Sequence, residues 1–164
     1  MHNAQPDCSA LAPALARNAG KPLFDHDRLQ VYQNALSFLA IADDIIESLP
    51  RGRAYLADQL HRAALSVVAN TAEGSGEFAP RDKARFYRMA LRSGTESAAL
   101  LDACRILTAF DVETIDRARM QLYAVVRMLG RMSQNLSARA SGRGRGKGKG
   151  RGEAIDDPAS SHYA

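Results

Sequence analysis

The sequence predicts an all-α protein, an up-down-up-down antiparallel four-helix bundle over residues 23–137, on three observations. Four segments carry apolar residues at steps of three and four, no segment alternates apolar and polar residues as a half-buried strand would, and the breaks are short. A composition rich in Ala, with 6% aromatic residues and no Trp, points the same way.

Residues 1–22 hold three prolines and no sustained period, which predicts a poorly ordered leader. The first helix is expected to begin near Asp25 as N-cap, with Phe24 in the preceding staple position. Its stripe is Leu29, Tyr32, Leu36, Leu39, Ala42, Ile46 and Leu49, and Pro50 and Gly52 end it. A second helix is expected from about Arg53 to Ala72, with Leu56, Leu60, Ala63, Ala64, Val67 and Thr71 inward. The run Glu73-Gly74-Ser75-Gly76 is expected to stop it, glycine being a natural residue at helix C-termini.

The third helix starts at Pro80, a residue suited to the first helical position, with Asp82 in the first turn where the dipole favours an anion. Phe86, Ala90, Gly94, Ser97, Leu101, Cys104 and Thr108 fall on its inner side. Gly94 weakens such a helix by about 1 kcal/mol relative to Ala unless a neighbouring helix packs close there. Asp111 is the expected N-cap of a fourth helix from about Val112 to Leu136, with Ile115, Ala118, Leu122, Val125, Val126, Leu129, Met132 and Leu136 as its stripe. After it, residues 138–164 open with Gly at alternate positions between cations, which predicts a flexible, extended basic tail.

Charge is divided unevenly along this plan. The whole chain carries a formal +4, yet residues 24–136 hold 14 Lys and Arg against 14 Asp and Glu, so the excess lies in the ends. A basic tail on a neutral body is the pattern of a polyanion-binding appendage. Cys8 and Cys104 form no disulfide framework, one in the leader and one on a core face. No apolar run is long enough to span a membrane and the N-terminus lacks the plan of a secretory signal, so the expectation is a cytoplasmic protein with no membrane partner.

Three patterns carry functional content. Arg81, Arg85, Arg88 and Arg92 fall within about 60° on the outer side of the third helix. They make a row about 16 Å long, comparable to several backbone phosphates. A solvated face, with Glu96 pairing to Arg92 and Asp82 offsetting Arg85, accounts for the same spacing. Gln59, Arg62, Ser66, Asn70 and Glu73 fall within about 80° on the second helix, a row suited to a subunit interface, a polar network between helices or an exposed polar face. Arg143, Arg145, Lys147, Lys149 and Arg151 of the tail, with Arg139 before them, can meet phosphates but offer no ring for bases, which predicts binding without sequence preference. A solubilising linker is the alternative reading of the tail.

Catalytic constellations are missing. His2, His26, His61 and His162 make no cluster of metal-ligand spacing, and Gly74-Ser75-Gly76 lacks the Lys and Ser/Thr ending of a phosphate loop. Glu73 beside Asn70 has no positioned nucleophile or metal. The expectation is a non-enzymatic protein with no metal and no cofactor.

The blocks Gln59-Leu60-His61-Arg62-Ala63-Ala64-Leu65-Ser66, Asn70-Thr71-Ala72-Glu73-Gly74, Arg85-Phe86-Tyr87-Arg88-Met89-Ala90 and Arg92-Ser93-Gly94-Thr95-Glu96 resemble the signature of the four-helix bundle proteins encoded in 23S rRNA intervening sequences. The resemblance covers roughly residues 24–136. That family is similar to the accessory variability proteins of diversity-generating retroelements. The resemblance implies a ring-shaped homopentamer and, from the retroelement relatives, basic surfaces for nucleic acid and a reverse transcriptase. By position it makes Asn70, Glu73 and Gly74 motif residues of the bundle and its interface, and the third-helix arginines candidates for the nucleic-acid surface. Thr71 stands where the family usually has a larger aliphatic residue.

Together these readings predict an oligomeric nucleic-acid-binding protein that binds RNA or DNA through phosphates. The alternative is a structural homo-oligomer whose main partner is another protein, such as a reverse transcriptase.

Overall fold

The structure, a computed structural model, describes residues 22–108 and 111–145. Most of the expected leader, and the tail positions Lys147, Lys149 and Arg151, lie outside the described residues. A 3-10 turn at Asp25–Arg28 precedes four helices: α1 (Gln30–Glu47), α2 (Ala54–Gly76), α3 (Pro80–Leu107) and α4 (Val112–Arg145). Among the described residues there is no strand.

Each helix packs against the next, and α4 closes the circle against α1. The α3–α4 and α2–α3 pairings run antiparallel. On α3 and α4, Arg105 meets Asp116, Asp102 meets Arg119, and Arg88 reaches Ser137. On α2 and α3, Ser66 meets Ser93, and Gly74 near the end of α2 lies against Tyr87 near the start of α3. Short connections between amphipathic helices leave this as the economical way to bury four apolar stripes.

The core has two layers. Phe38, Ala42, Ile45, Leu56, Leu60, Leu101, Cys104, Ile115 and Leu122 form one, and Val31, Ala35, Val67, Tyr87, Ala90, Val125 and Leu129 the other. Burial of a large apolar side chain such as Phe38 or Leu60 contributes about 1.5–3 kcal/mol, and both are fully buried.

Five expectations are corrected. The chain before α1 does not enter the helix at Asp25. The Asp27 carboxylate instead accepts from the backbone N–H groups of Leu23 and Phe24 (3.1 and 3.0 Å), winding a tight turn, and extended backbone at Leu29 delays the α-helix to Gln30. The buried stripe of α1 is Val31, Ala35, Phe38, Ala42 and Ile45, one position off the expected set except at Ala42. Leu39, Ile46 and Leu49 pack at its margins. Since α1 touches both α2 and α4, it is apolar over a wide arc, and two neighbouring registers fit the same pattern.

On α3 the inward aromatic is Tyr87, with Phe86 half-buried. Helix α2 does not stop at Glu73; it continues through Gly76. The missing side chain at Gly74 admits the Tyr87 ring, since a Cβ there would lie 2.6 Å from Cε1. Packing, not helix termination, explains this glycine. Gly94 serves the same purpose on α3, where a Cβ would lie 2.9 Å from Val126 Cγ2, so the close packing that excuses a mid-helix glycine is present. Finally α4 runs past Leu136 to Arg145, so Arg139, Arg143 and Arg145 belong to a helix.

Asp111 caps α4 as expected, accepting from Thr114 N–H at 2.9 Å and Glu113 N–H at 3.3 Å. The Thr114 hydroxyl also donates to it, at 2.7 Å. These hydrogen bonds, led by that hydroxyl, hold the Asp111 carboxyl below the usual carboxylate range.

Candidate nucleic-acid interface

Helix α3 begins at Pro80 with no side-chain cap at Ala79. It carries Arg81, Arg85, Arg88 and Arg92 on the side opposite Ala90, Gly94 and Leu101, and all four arginines are exposed. None forms an ion pair with a described residue; the ion pairs there are His26–Asp27, Arg105–Asp116 and Arg119–Asp102. The pairings that a merely solvated face would use, Glu96 with Arg92 and Asp82 with Arg85, are not made. Arg85 instead leans over the Phe86 ring, 5.6 Å from its centroid. A row of guanidinium groups without carboxylates keeps its positive potential for an external anion.

The extension of α4 alters the surroundings of this row. Arg81 and Arg88 form one wall of a cleft whose floor is Ala84 and Ala140 and whose opposite wall carries the hydroxyls of Ser137 and Ser141. Arg88 Nη1 lies 3.5 Å from Ser137 Oγ, at the outer limit of hydrogen bonding. Arg139 is exposed nearby on α4, and Arg143 and Arg145 occupy its next turns. The serines were not singled out from the sequence. Their i, i+4 spacing becomes a signal only once α4 is known to pass Leu136.

The polar row of α2 has a divided fate. Ser66 and Asn70 turn toward α3, where Ser66 Oγ and Ser93 Oγ share a hydrogen bond of 2.8 Å. Asn70 Nδ2 donates to Ser66 O at 2.8 Å and to Ser66 Oγ at 3.0 Å. Of the three readings, the network between helices holds for these two residues. Gln59, Arg62 and Glu73 remain exposed, and Gly74 is buried beneath Tyr87. Met89, Arg92 and Glu96 rim a shallow groove above the network.

The α3–α4 seam has a second, apolar groove, formed by Gly94, Ala98, Leu122 and Val126, with Thr95, Arg119 and Tyr123 at its edges. Sequence reading missed Tyr123, which shows no period of its own and falls outside the α4 stripe.

Chemically reactive groups are scarce. Cys104 is buried and burial pushes its thiol up, away from nucleophilic thiolate character. Among the described residues no group of three or more His, Cys, Asp and Glu could hold a metal ion. No described helix is long and apolar enough to cross a membrane.

The sequence model of a family described as 23S rRNA-intervening sequence protein matches residues 27–131, close to two thirds of the chain. No curated protein matches it.

Proposed function

This chain belongs to the 23S rRNA-intervening sequence protein family, and from that premise we propose that it is a non-enzymatic, cytoplasmic, oligomeric protein that binds RNA or DNA through backbone phosphates. The observation that carries the proposal is the row Arg81, Arg85, Arg88 and Arg92, exposed and without a described carboxylate partner. Like charges on adjacent turns destabilise a helix by a few tenths of a kcal/mol per pair, and a phosphate backbone reverses that penalty. Arg139 adds an exposed cation on α4, and the cations that follow it in the sequence add general attraction to polyanions. The body has no net excess of charge, so its arginines act by local clustering within a Debye length of about 8–10 Å.

Contact with other proteins is the second component. Leu23, Phe24 and Phe78 expose 86%, 64% and 99% of their surfaces before α1 and in the α2–α3 connection, at the same end as the start of the arginine row. Apolar groups so placed favour contact with another copy or a partner protein. Gln59, Arg62 and Glu73 offer polar contacts along α2. A ring-shaped homopentamer serving as accessory factor to a retroelement reverse transcriptase is the finer form of this reading.

A mobility-shift titration of the full chain at several salt concentrations tests the proposal. Charge reversal of Arg85, Arg88 and Arg92 to Glu should weaken binding on the order of a hundredfold and flatten the salt slope by at least about 2. No binding of RNA or DNA by the wild-type chain at low salt sinks the proposal. Loss of a protein partner with nucleic-acid affinity intact would favour the scaffold reading. A chain ending at Arg145 separates the contribution of the tail from that of the helices.

A further inference from the structure

The α3–α4 seam holds two adjacent features of complementary chemistry. The first is the cleft between Arg81 and Arg88 on one side and Ser137 and Ser141 on the other, floored by Ala84 and Ala140. Two guanidinium groups facing the Ser137 hydroxyl match a tetrahedral phosphate, which accepts several hydrogen bonds and carries charge; the Ser141 hydroxyl donates to Ser137 O at 3.0 Å and lines the cleft beside them. The second is the apolar groove of Gly94, Ala98, Leu122 and Val126. Arg88 lies about 10 Å from Thr95 along α3 and Ser137 about 21 Å from Tyr123 along α4, so the phosphate and the base belong to nucleotides a few positions apart in one strand.

The apolar groove is shaped by the close approach at Gly94 and walled by Tyr123, 57% exposed. The Arg127 guanidinium sits over the Tyr123 ring at 5.6 Å from its centroid and limits how the ring turns. Arg119 is tied to the Asp102 carboxylate at the rim. The Thr95 hydroxyl donates to Leu91 O at 3.1 Å and keeps its lone pairs for an incoming donor. An apolar floor, an aromatic wall and mixed donors and acceptors at the rim suit a nucleobase whose faces and edges are uncovered. Paired bases in a duplex have their faces stacked and their Watson–Crick edges engaged, so neither is free for such a groove.

We infer that the α3–α4 seam binds single-stranded nucleic acid, holding one phosphate among Arg81, Arg88, Ser137 and Ser141 and an unpaired base against Tyr123. The inference rests on the phosphate-directed reading above and adds the strandedness of the ligand. Affinity then comes from two separable sources: the phosphate contact responds to salt, whereas the stacking contact does not. Both rim groups at the base, Arg119 and Thr95, accept many edge patterns, so the site prefers single strands without selecting a sequence.

Fluorescence anisotropy with an unstructured oligouridine and a duplex RNA of equal length, each titrated with the full chain at several salt concentrations, tests this. Tyr123→Ala should weaken single-strand binding about tenfold with an unchanged salt slope and leave duplex binding as it was. Tyr123→Phe should restore it. Arg81→Ala with Arg88→Ala removes the contact to that one phosphate and should lower the single-strand salt slope by about 0.7. Helical circular dichroism and the melting temperature check that each variant folds. Single-strand affinity unaffected by Tyr123→Ala, or an equal loss for both ligands, overturns the inference and leaves phosphate-directed binding standing. A wild-type chain that binds neither ligand overturns both.

Discussion

On the flank of α3 that meets α2, polar residues are absorbed by the fold: Ser93 bonds to Ser66, Asn70 donates to Ser66, and Lys83 Nζ donates to Ser75 O at 2.9 Å. On its outer flank, four arginines of equal periodicity meet no described carboxylate. Both rows read alike as spacings of three and four. What separates them is the angle each makes with a neighbouring helix, and that angle decides whether a polar group stabilises the bundle or remains available to a ligand. The closed flank should therefore report mutations as lost stability, and the open flank as lost binding.

The largest stability effect should come from Gly74→Ala. Its Cβ would lie 2.6 Å from a ring carbon of buried Tyr87 and 3.1 Å from Phe86 Cβ, and overpacking of this kind costs about 1–3 kcal/mol. Chemical denaturation should show that loss despite the helix propensity gained. Gly76→Ala, with nothing within 4 Å of the new methyl, should instead raise stability by about 0.5 kcal/mol. Equal effects at the two glycines would mean that the α2–α3 contact is looser than the geometry requires.

Next in size is Asn70→Ala, which removes two hydrogen bonds to Ser66 and should cost about 1 kcal/mol. Arg85→Ala on the open flank should stay within about 0.5 kcal/mol. Thermal melts of the two variants side by side test the contrast, and a larger loss at Arg85 would break it.

The smallest effect lies away from α3, at the α4 cap. The folded-state pKa of Asp111 is lowered, chiefly by the Thr114 hydroxyl and then by the Thr114 N–H. Its stabilising contribution is therefore fully present above the unfolded carboxylate value of about 3.9 and is lost as pH falls through the lower folded value. Asp111→Asn keeps a capping residue but removes the titration. The difference in melting temperature between wild type and variant should shrink as pH drops through that window; a constant difference would show that the cap does not depend on the carboxylate charge.

Much of the fold was legible because it depends on period and punctuation. The inward residues of α2 and most of those of α4 follow directly from spacing, as do the Asp111 cap and the Pro80 start. Errors fell where one signal allowed two packings. Phe86 and Tyr87 are adjacent aromatics, and only the space above Gly74 selects Tyr87. In α1, flanked on both sides, a wide apolar arc hides a shift of one residue. Of the candidate site, the arginine row was legible, since four exposed cations opposite a core stripe require only the helical angle. The cleft and the apolar groove were not, because each joins residues of α3 and α4 more than 20 positions apart.

By itself, then, the sequence determined four amphipathic helices, their order, and an outer line of arginines, because hydrophobic period and local capping are properties of consecutive residues. Tertiary structure alone decided that Gly74 and Gly94 are contacts, that Ser66 meets Ser93 with Asn70 donating to Ser66, and that the end of α4 lies beside the start of α3. Those outcomes depend on how one helix is rotated and shifted against another, and such relations arise only when the helices compete to bury their faces in a common core.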